Sequence, residues 1–270
     1  MGIRSLLDYP VAHHAFDEAL LQEEQRLVPE YAATMQFHQP SEARKRRLTD
    51  ELTRTDSVLG LSEFHRRTFI ESGVPEEKVV AGPLFGVDAD SFHPREPFER
   101  PHFRVLFAGQ ITQRKGVSYV VEGFRRAGLA KAELLLLGRP YGGAAPWRTV
   151  TGVRHIDMVA PWDTPAHYRS ADVFVLPAIS DACPRAVLEA MASGIPVIVS
   201  ENTGTADAVV EGESGYVVPI RDADAIAERL VELHRDPDLR LRMGAAARLG
   251  ALACTWSAYA DGVARLVTGK

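Results

Sequence analysis

The stretch ADVFVLPAISDACPRAVLEAMASGIPVIVS, residues Ala171–Ser200, contains two apolar segments with a helical segment between them. The first segment, Asp172–Pro177, is almost continuously apolar, and Pro196–Ser200 repeats that pattern. Between them, Pro184–Ser193 has the length and composition of a helix. Strands that are apolar on both faces and alternate with helices predict a parallel sheet that helices cover on each side.

The same alternation continues on both sides of this unit. The predicted strands are Arg104–Ala108, Glu133–Leu137, Val153–Asp157, Asp172–Pro177, Pro196–Ser200 and Gly215–Pro219. The predicted helices are Gly116–Ala127, Thr164–Ser170, Pro184–Ser193, Thr205–Glu211, Ala223–Arg235, Pro237–Leu252 and Trp256–Val267. This order predicts a complete doubly wound, Rossmann-like α/β domain with six strands.

The first 87 residues carry a shorter version of the pattern. The predicted strands are Ile3–Tyr9, Asp56–Leu61 and Lys78–Pro83, and the predicted helices are Phe16–Met35, Glu42–Thr53 and Glu63–Ser72. These elements make half of a doubly wound sheet. The stretch Asp88–Pro101, with three prolines and six charged residues, indicates a connection between the two parts of the chain.

Composition narrows the class of protein. The 270 residues include 31 Lys and Arg and 36 Asp and Glu, a formal charge of −5. This balance argues against a nucleic-acid-binding protein, which usually carries a basic excess. Two cysteines, Cys183 and Cys254, exclude a disulfide framework and favour a reducing compartment. Because we find no apolar run near the roughly 18 residues of a membrane helix and no signal peptide, we predict a cytoplasmic protein.

The loops after the strands are the candidate sites, because ligands of open parallel sheets bind beyond the carboxyl ends of the strands. The first such loop is GQITQRKG, Gly109–Gly116, which has two adjacent cations and a helix behind it. Backbone N–H groups at a helix start and the Lys115 side chain suit an anion such as a diphosphate. The spacing matches neither G-x-G-x-x-G nor G-x-x-x-x-G-K-[ST]. A solvated turn with two surface cations is the alternative.

The loop after Asp172–Pro177 carries a carboxylate on each side of a helix start. Pro184 fits the first helical position, which makes Cys183 the predicted cap and leaves Asp181 outside the helix. Glu189 lies in the second turn of an otherwise apolar helix, where a half-buried carboxylate needs partners such as the two hydroxyls of a ribose. In the alternatives, Glu189 points to solvent and Asp181 is an ordinary capping acid.

Two more polar stretches follow predicted strands. Glu201–Asp207 either closes around a polar ligand or starts a helix with Thr205 as its cap. His13 and His14 follow the strand at Ile3–Tyr9, where at most one of two adjacent side chains faces a cleft. A structural or solvated pair is the alternative. The remaining histidines show no metal-ligand spacing, so we predict no metal site.

A run of four cations, Arg44–Arg47, lies in the second predicted helix. Asp50 and Glu51 follow Arg46 and Arg47 by four residues, which favours ion pairs along the helix surface. Contact with an anionic membrane or a lipid-linked acceptor is the alternative.

Six segments occur in the order and spacing of one known family. They are PLFGVD (Pro83–Asp88), FAGQITQRKG (Phe107–Gly116), ADVFVLP (Ala171–Pro177), SDACPRAVLEAMASGIPVIVS (Ser180–Ser200), NTG (Asn202–Gly204) and DAVVEGESGYVVPIRD (Asp207–Asp222). On these segments the chain resembles the family-4 retaining glycosyltransferases of GT-B fold. The resemblance covers residues 57–267 well and residues 1–56 more loosely.

The resemblance implies roles for the candidate residues. Lys115 would bind the donor diphosphate and stabilise the leaving nucleotide diphosphate without a metal. Asp181 and Glu189 match the two acids of the family's E-x(7)-E motif; the first would face the transferred sugar and phosphate, and the second would hold the ribose hydroxyls. The other implied donor-binding residues are Gly109, Gln110, Arg114, Ala186 and Val187, the last two through their backbone. His13 or His14 would line the sugar near its anomeric carbon, and the base would lie against the loop after Val153–Asp157.

The chain departs from the family's pattern at three places. Gln110 stands where the family usually has Arg, and a neutral donor makes hydrogen bonds roughly half as strong as a charged one. Asp181 is one methylene shorter than the usual Glu. We also expect the most N-terminal strands of the first domain to be missing. The predicted domains are therefore a partial acceptor-side domain at 1–92, a complete donor-binding domain at 93–253, and a C-terminal helix at 254–270 that packs back toward the first.

The function that the resemblance implies is retaining transfer of a sugar from a UDP- or GDP-sugar to a saccharide, lipid-linked or other hydroxyl acceptor. We predict no cofactor besides this co-substrate and no nucleic-acid partner, with peripheral contact with the inner membrane face as an alternative to a purely cytoplasmic location, and make no prediction of oligomeric state. The alternatives are a non-catalytic nucleotide-sugar-binding module that needs a missing segment or a partner, and a GT-B nucleotide-sugar epimerase. The missing G-x-G-x-x-G disfavours a dinucleotide oxidoreductase.

Overall fold

Two parallel β-sheets form the framework of the protein in the computed structural model, which describes residues 5–35, 41–94, 102–143 and 146–268. The smaller sheet has three strands and the larger has six. Every strand pairing in both sheets is parallel, and helices connect the strands. The predicted alternation of strands and helices is confirmed.

The smaller sheet has the strand order β1-β2-β3. Its strands are β1 (Leu6–Asp8), β2 (Ser57–Gly60) and β3 (Val79–Ala81), and its helices are α1 (His14–Leu27), α2 (Glu42–Arg54) and α3 (Glu63–Glu71). Val58 at the centre of β2 pairs with Leu7 and Val79. Val58, Val79, Phe69 and Leu52 are all buried in one cluster, so apolar burial holds α2 and α3 against this sheet.

The larger sheet has the strand order β6-β5-β4-β7-β8-β9. Its strands are β4 (Phe103–Ala108), β5 (Ala132–Leu137), β6 (Val153–Ile156), β7 (Val173–Leu176), β8 (Val197–Ser200) and β9 (Gly215–Val218). The helices around it are α4 (Val117–Ala127), α5 (Thr164–Arg169), α6 (Arg185–Ala192), α7 (Ala223–Arg235), α8 (Pro237–Ala253) and α9 (Trp256–Thr268). Numbered within the sheet this is the Rossmann order 3-2-1-4-5-6, whose direction reverses between β4 and β7. Ligands of such sheets bind at this reversal.

The long helix predicted at Phe16–Met35 is wrong. The chain forms α1 and then a separate 3₁₀ turn at Pro29–Thr34, with Val28 between them outside helical geometry. Pro29 explains the break, since its ring excludes helical geometry at the preceding residue and it has no N–H to continue the hydrogen-bond ladder.

The predicted starts of two helices, with caps at Thr205 and Cys183, also need correction. A 3₁₀ turn at Gly204–Ala208 replaces the predicted helix Thr205–Glu211, and the Thr205 hydroxyl donates to the Pro184 carbonyl instead of capping it. Val209 has extended geometry, which ends the turn. At α6 the cap residue is Pro184, with extended ψ, rather than Cys183, so the helix begins at Arg185.

The C-terminal helix α9 lies against the smaller sheet's side of the molecule. Phe85 contacts the rings of Trp256 and Tyr259, and Val87 N–H donates to the carbonyl of Cys254. The domain boundaries at 92/93 and 253/254 stay predictions. Of the predicted connection Asp88–Pro101, residues 95–101 lie outside the described residues, as does Ile3 of the predicted strand Ile3–Tyr9.

Helix α1 starts at a histidine cap. The Nδ1 atom of His13 accepts a hydrogen bond from the Ala15 N–H at 3.2 Å, and the ring packs edge-on against Phe69. The backbone N–H of His13 donates to Thr68 Oγ1 at 3.0 Å. Burial, and to a lesser degree the neighbouring His14, lower the pKa of His13 to about 4. Neutral His13 therefore fixes the start of α1 against α3.

The other end of α1 is held to the larger sheet's side by a buried carboxylate. Glu24 is fully buried and accepts from Gln113 Nε2 at 2.7 Å and from Arg221 Nε at 2.8 Å. Glu23, half-exposed, shares the same guanidinium at 2.9 Å. Both oxygens of Glu24 are engaged, which offsets the cost of burying its charge.

Replacing Glu24 should destabilise the fold far more than replacing its neighbour. Glu24→Ala removes the buried acceptor that Arg221 and Gln113 share, and loss of one partner of a buried pair costs about 3–5 kcal/mol of unfolding free energy. Glu23→Ala, the matched control at the same arginine, should cost at most about 1 kcal/mol, as exposed pairs do. Urea denaturation measures both, and equal costs would show that the Glu24 contacts do not hold α1.

Stability should fall in acid because of His13. Below pH 6.5 the unfolded state binds a proton on this histidine while the folded state stays neutral until about pH 4. The contribution is thus fully present above pH 6.5 and decreases by about 3 kcal/mol as pH falls to 4. His13→Asn keeps a capping acceptor without titrating, so its unfolding free energy should vary less with pH than that of the wild type. The control His93→Asn changes an exposed histidine, and identical pH profiles for wild type and His13→Asn would contradict the account.

Candidate functional site

A cavity of about 540 Å³ opens where the larger sheet reverses its strand order. The carboxyl ends of β4 and β5, the loop after β6, and helices α5 and α6 line it. Of the sequence-predicted site residues, the structure brings Gly109, Gln110, Lys115, Ala186 and Glu189 together in its wall. The site therefore lies where a ligand of a doubly wound sheet binds.

Two glycines let the loops approach one another closely. Gly138, after β5, has φ +137°, and a Cβ there would collide with the carbonyl of Gly109. Gly116 has φ +73°, and a Cβ there would collide with the carbonyl of Pro177 at the end of β7. These conformations favour glycine. The close approach at Gly116 brings Lys115 beside the loop that follows β7.

An ion pair joins these two loops beside the cavity. Lys115 Nζ lies 2.8 Å from Asp181 Oδ2, and both side chains are largely buried. Burial alone would raise the pKa of Asp181, but Lys115 and then Arg114 hold it below its ordinary value. Arg114 itself lies 3.9 Å from this carboxylate and donates to the Ser180 carbonyl at 2.6 Å. Asp181 therefore contacts Lys115, and Arg114 contacts the loop that follows β7. Neither Asp181 nor Arg114 lines the cavity.

Glu189 presents its carboxylate to the cavity from the second turn of α6. Tyr168 of α5, fully buried, donates its hydroxyl to Glu189 Oε2 at 2.8 Å. Burial raises the pKa of Glu189, against the effects of the Tyr168 hydrogen bond and of Arg185 and Lys115. Tyr168 orients one carboxylate oxygen of Glu189. The carboxylate is partly desolvated, and a further hydrogen-bond donor would stabilise it.

The start of α6 has no side-chain cap. Ala186 lines the cavity, whereas Val187 is fully buried and its N–H donates to the Pro184 carbonyl at 3.2 Å. The first N–H groups of a helix lack partners within the helix and favour anions. The backbone at Ala186 is therefore the more accessible of the two predicted phosphate contacts.

The loop Glu201–Asp207 makes hydrogen bonds both to the loops after β7 and to the first part of the chain. Asn202 accepts from Arg67 at 2.9 Å, and Asp207 accepts from the backbone N–H of Glu63 at 2.7 Å. Ser62 donates to the carbonyl of Ala182 at 2.9 Å in the neighbouring loop. These bonds hold the start of α3 against the loops that flank the cavity, so this loop links the two parts of the chain.

Neither predicted histidine lines the cavity. His13 caps α1 and packs against Phe69, and the tilted ring of His14 lies beside that of His13, with ring centroids 4.4 Å apart. Among the residues that the structure describes, the buried Nδ1 atom of His14 has no hydrogen-bond partner. One turn further along α1, Asp17 accepts a hydrogen bond from the Ser180 hydroxyl, next to Asp181. Burial raises the pKa of Asp17.

Sequence reasoning missed three residues of this region: Arg139, Tyr168 and Asp17. Arg139 follows the strand β5 at the same edge as Gly109, so its position after a strand was an available signal. Tyr168 and Asp17 lie inside helices and reach the site through contacts between distant segments.

We find no cluster of three or more metal-binding side chains in the described ranges. None of the helices within the same ranges has both the length and the apolarity needed to cross a bilayer.

Comparison with known proteins identifies a matching family and several relatives of the chain. The model of the family described as glycosyl transferases group 1 matches residues 102–236, half of the chain. The chain is 31% identical over 224 residues to the GDP-mannose-dependent alpha-(1-6)-phosphatidylinositol monomannoside mannosyltransferase of Mycobacterium tuberculosis. The matched region covers 72% of this chain and 56% of that protein. The chain is 32% identical over 216 residues to the D-inositol 3-phosphate glycosyltransferase of Frankia alni, covering 71% of this chain and 53% of the other. The chain spans about half the length of the curated relatives it matches.

Solved structures show the same architecture. Sucrose-phosphate synthase from Thermosynechococcus elongatus superposes with a TM-score of 0.74 at 23% identity, over 97% of this chain and 66% of that one. Anabaena HepE in complex with UDP-glucose gives a TM-score of 0.72 at 15% identity, over 86% and 69% of the two chains. At these identities the likeness concerns the fold.

The family match and the structural neighbours agree with the two parallel sheets and their helices. They confirm the predicted α/β, GT-B-like fold and the resemblance on which it rests. The chain belongs to the family of glycosyl transferases group 1.

Proposed function

We propose that this chain binds a nucleotide-diphosphate sugar in the 540 Å³ cavity and transfers the sugar, with retention and without a metal, to an acceptor hydroxyl. The observation that carries the proposal is the placement of Lys115 and Glu189 in one cavity wall at the strand reversal. The cation comes from the loop after β4 and the carboxylate from α6. A diphosphate and a ribose need these two kinds of group at neighbouring positions.

The diphosphate would lie over the loop Gly109–Lys115. Lys115 supplies a positive charge there, and the backbone at Gly109 and Ala186 borders the same space. Positive charge beside the leaving group stabilises the negative charge that develops when the bond between sugar and diphosphate breaks. Because side-chain cations supply this charge, the proposal needs no metal ion.

The ribose would lie against Glu189. A carboxylate accepts hydrogen bonds from two adjacent hydroxyls, and Tyr168 already fixes the orientation of one oxygen at 2.8 Å. The burial that raises the pKa of Glu189 makes such donors favourable, since they replace lost water. Glu189 is therefore the proposed anchor of the nucleoside.

Asp181 would face the transferred sugar once a diphosphate competes for Lys115. In the ligand-free chain the two side chains pair with each other at 2.8 Å. On the smaller sheet's side, outside the residues that line the cavity, we assign His13 a positioning role as the cap of α1 and propose His14 as the contact to the sugar. Gln110 and Arg114 complete the donor side, the first in the cavity wall and the second through its bond to Ser180.

The names of relatives support the proposed donor and acceptor classes. One relative is described as GDP-mannose-dependent and acts on a phosphatidylinositol monomannoside, and one structural neighbour holds UDP-glucose. We therefore propose a UDP- or GDP-sugar donor, a saccharide or lipid-linked acceptor, and a role in glycan biosynthesis.

Arg44 and Arg46, exposed on α2, support contact with anionic headgroups at the inner membrane face, whereas Arg47 pairs with Glu51 at 3.3 Å as the sequence predicts. Retention is tested by NMR of the product, where the anomeric configuration of the donor should persist.

Removing either anchor should weaken donor binding. Lys115→Ala takes away the charge at the diphosphate and Glu189→Gln takes away the carboxylate at the ribose. Each should raise the dissociation constant for the UDP- or GDP-sugar about 10- to 100-fold, since hydrogen bonds to charged groups contribute about 1.5–3 kcal/mol. Lys115→Ala should also reduce the transfer rate by at least about 100-fold. Calorimetry and a transfer assay measure the two effects.

Matched controls separate these effects from general changes in charge. Glu213→Ala and Arg265→Ala remove one charge of each sign from exposed positions outside the cavity. Both should bind and transfer as the wild type does. Full donor affinity in Lys115→Ala and Glu189→Gln, with folded structure by circular dichroism, would overturn the proposed site. Donor binding with neither transfer nor donor hydrolysis would instead favour a non-catalytic binding module.

A further inference from the structure

We propose that Arg139 binds the diphosphate of the donor and supplies a positive charge beside the neutral Gln110. This inference deepens the proposed function and rests on it. Three cations, Lys115, Arg139 and Arg185, and one carboxylate, Glu189, line the cavity among the residues that the structure describes. Arg139 is distinguished among these cations by its position next to the loop Gly109–Lys115.

Arg139 is a cation of this cavity that the described residues leave without a partner. Lys115, by comparison, pairs with Asp181 at 2.8 Å. Within the described ranges, neither Arg139 nor Arg185 forms an ion pair or a side-chain hydrogen bond, and both are exposed. Arg185 lies four residues before Glu189 on α6, where its charge opposes the burial that raises the pKa of Glu189. Cations without partners in a cavity attract an anion.

The backbone of Arg139 is tied to the proposed phosphate loop. The Ile111 N–H donates to the Arg139 carbonyl at 3.0 Å, and the Tyr141 N–H donates to the Ile111 carbonyl at 3.0 Å. Ile111 itself is fully buried, so these bonds have a fixed base. The loop after β5 therefore cannot move away from Gly109–Lys115 without breaking buried hydrogen bonds. Arg139 keeps its side chain beside the space assigned to the diphosphate.

A guanidinium at this place suits phosphate oxygens better than a base. Its planar fork of donors pairs with two oxygens of one phosphate group, and such charge-assisted bonds are about twice as strong as neutral ones. Gln110, in the same wall, offers only neutral donors. We infer that Arg139 favours phosphorylated ligands over the free nucleoside.

The test compares UDP or GDP, whichever the wild-type chain binds, with the matching nucleoside. Arg139→Ala should weaken nucleoside diphosphate binding about 10- to 100-fold by calorimetry. Uridine or guanosine binding, followed by NMR titration, should change less than about threefold. Arg139→Lys should recover part of the loss because it keeps the charge, and Arg139→Gln should not.

Arg154→Ala is the matched control, because it removes an exposed arginine from the neighbouring strand β6, outside the cavity wall. It should leave both affinities unchanged. Wild-type diphosphate affinity in folded Arg139→Ala, or equal loss for diphosphate and nucleoside, would overturn the inference while leaving Lys115 and Glu189 untouched. Failure of the wild type to bind either diphosphate would instead refute the proposed function itself.

Discussion

The direction of the strands in the larger sheet is the constraint on which the site depends. Because all six strands run parallel, the loops after β4, β5 and β7 leave at one edge, and the reversal of strand order separates the connections on either side. Residues far apart in sequence therefore meet there, as Lys115 and Asp181 do at 2.8 Å. The glycine at 116 completes this arrangement, since only a residue without a side chain lets the first loop touch Pro177.

Two buried carboxylates, Glu24 and Asp181, differ in whether a ligand can compete for their partners. Glu24 is enclosed, and Gln113 and Arg221 occupy its two oxygens, so its contacts serve to fix α1 in place. Asp181 pairs with Lys115 beside an open cavity, where an incoming anion competes for the lysine. The first pair is structural and the second can exchange partners. A preorganised anion site combines rigid surroundings with a cation that can exchange its partner for the ligand.

Much of the larger sheet could be predicted from sequence, because β7 and β8 are continuously apolar and helices separate the strands. The helix at Phe16–Met35 was predicted too long, since its apolar pattern runs on through Pro29 while the backbone cannot. Lys115 and Glu189 were found because each belongs to a local motif. Arg139 and Asp17 were not, because their places depend on strand order and on contacts between distant segments, which periodicity does not encode.

The most direct measurement is a crystal structure of the chain with bound UDP or GDP. We expect the diphosphate in the cavity at the β4–β7 reversal, within hydrogen-bonding distance of Lys115 Nζ, with the distance between Lys115 and Asp181 longer than 2.8 Å. A second cavity, of about 640 Å³ between α4, α7 and the turn at Pro29–Thr34, provides an internal comparison. A nucleotide bound there, or one bound at the reversal with the Lys115–Asp181 pair intact, would show that Lys115 does not exchange Asp181 for the diphosphate.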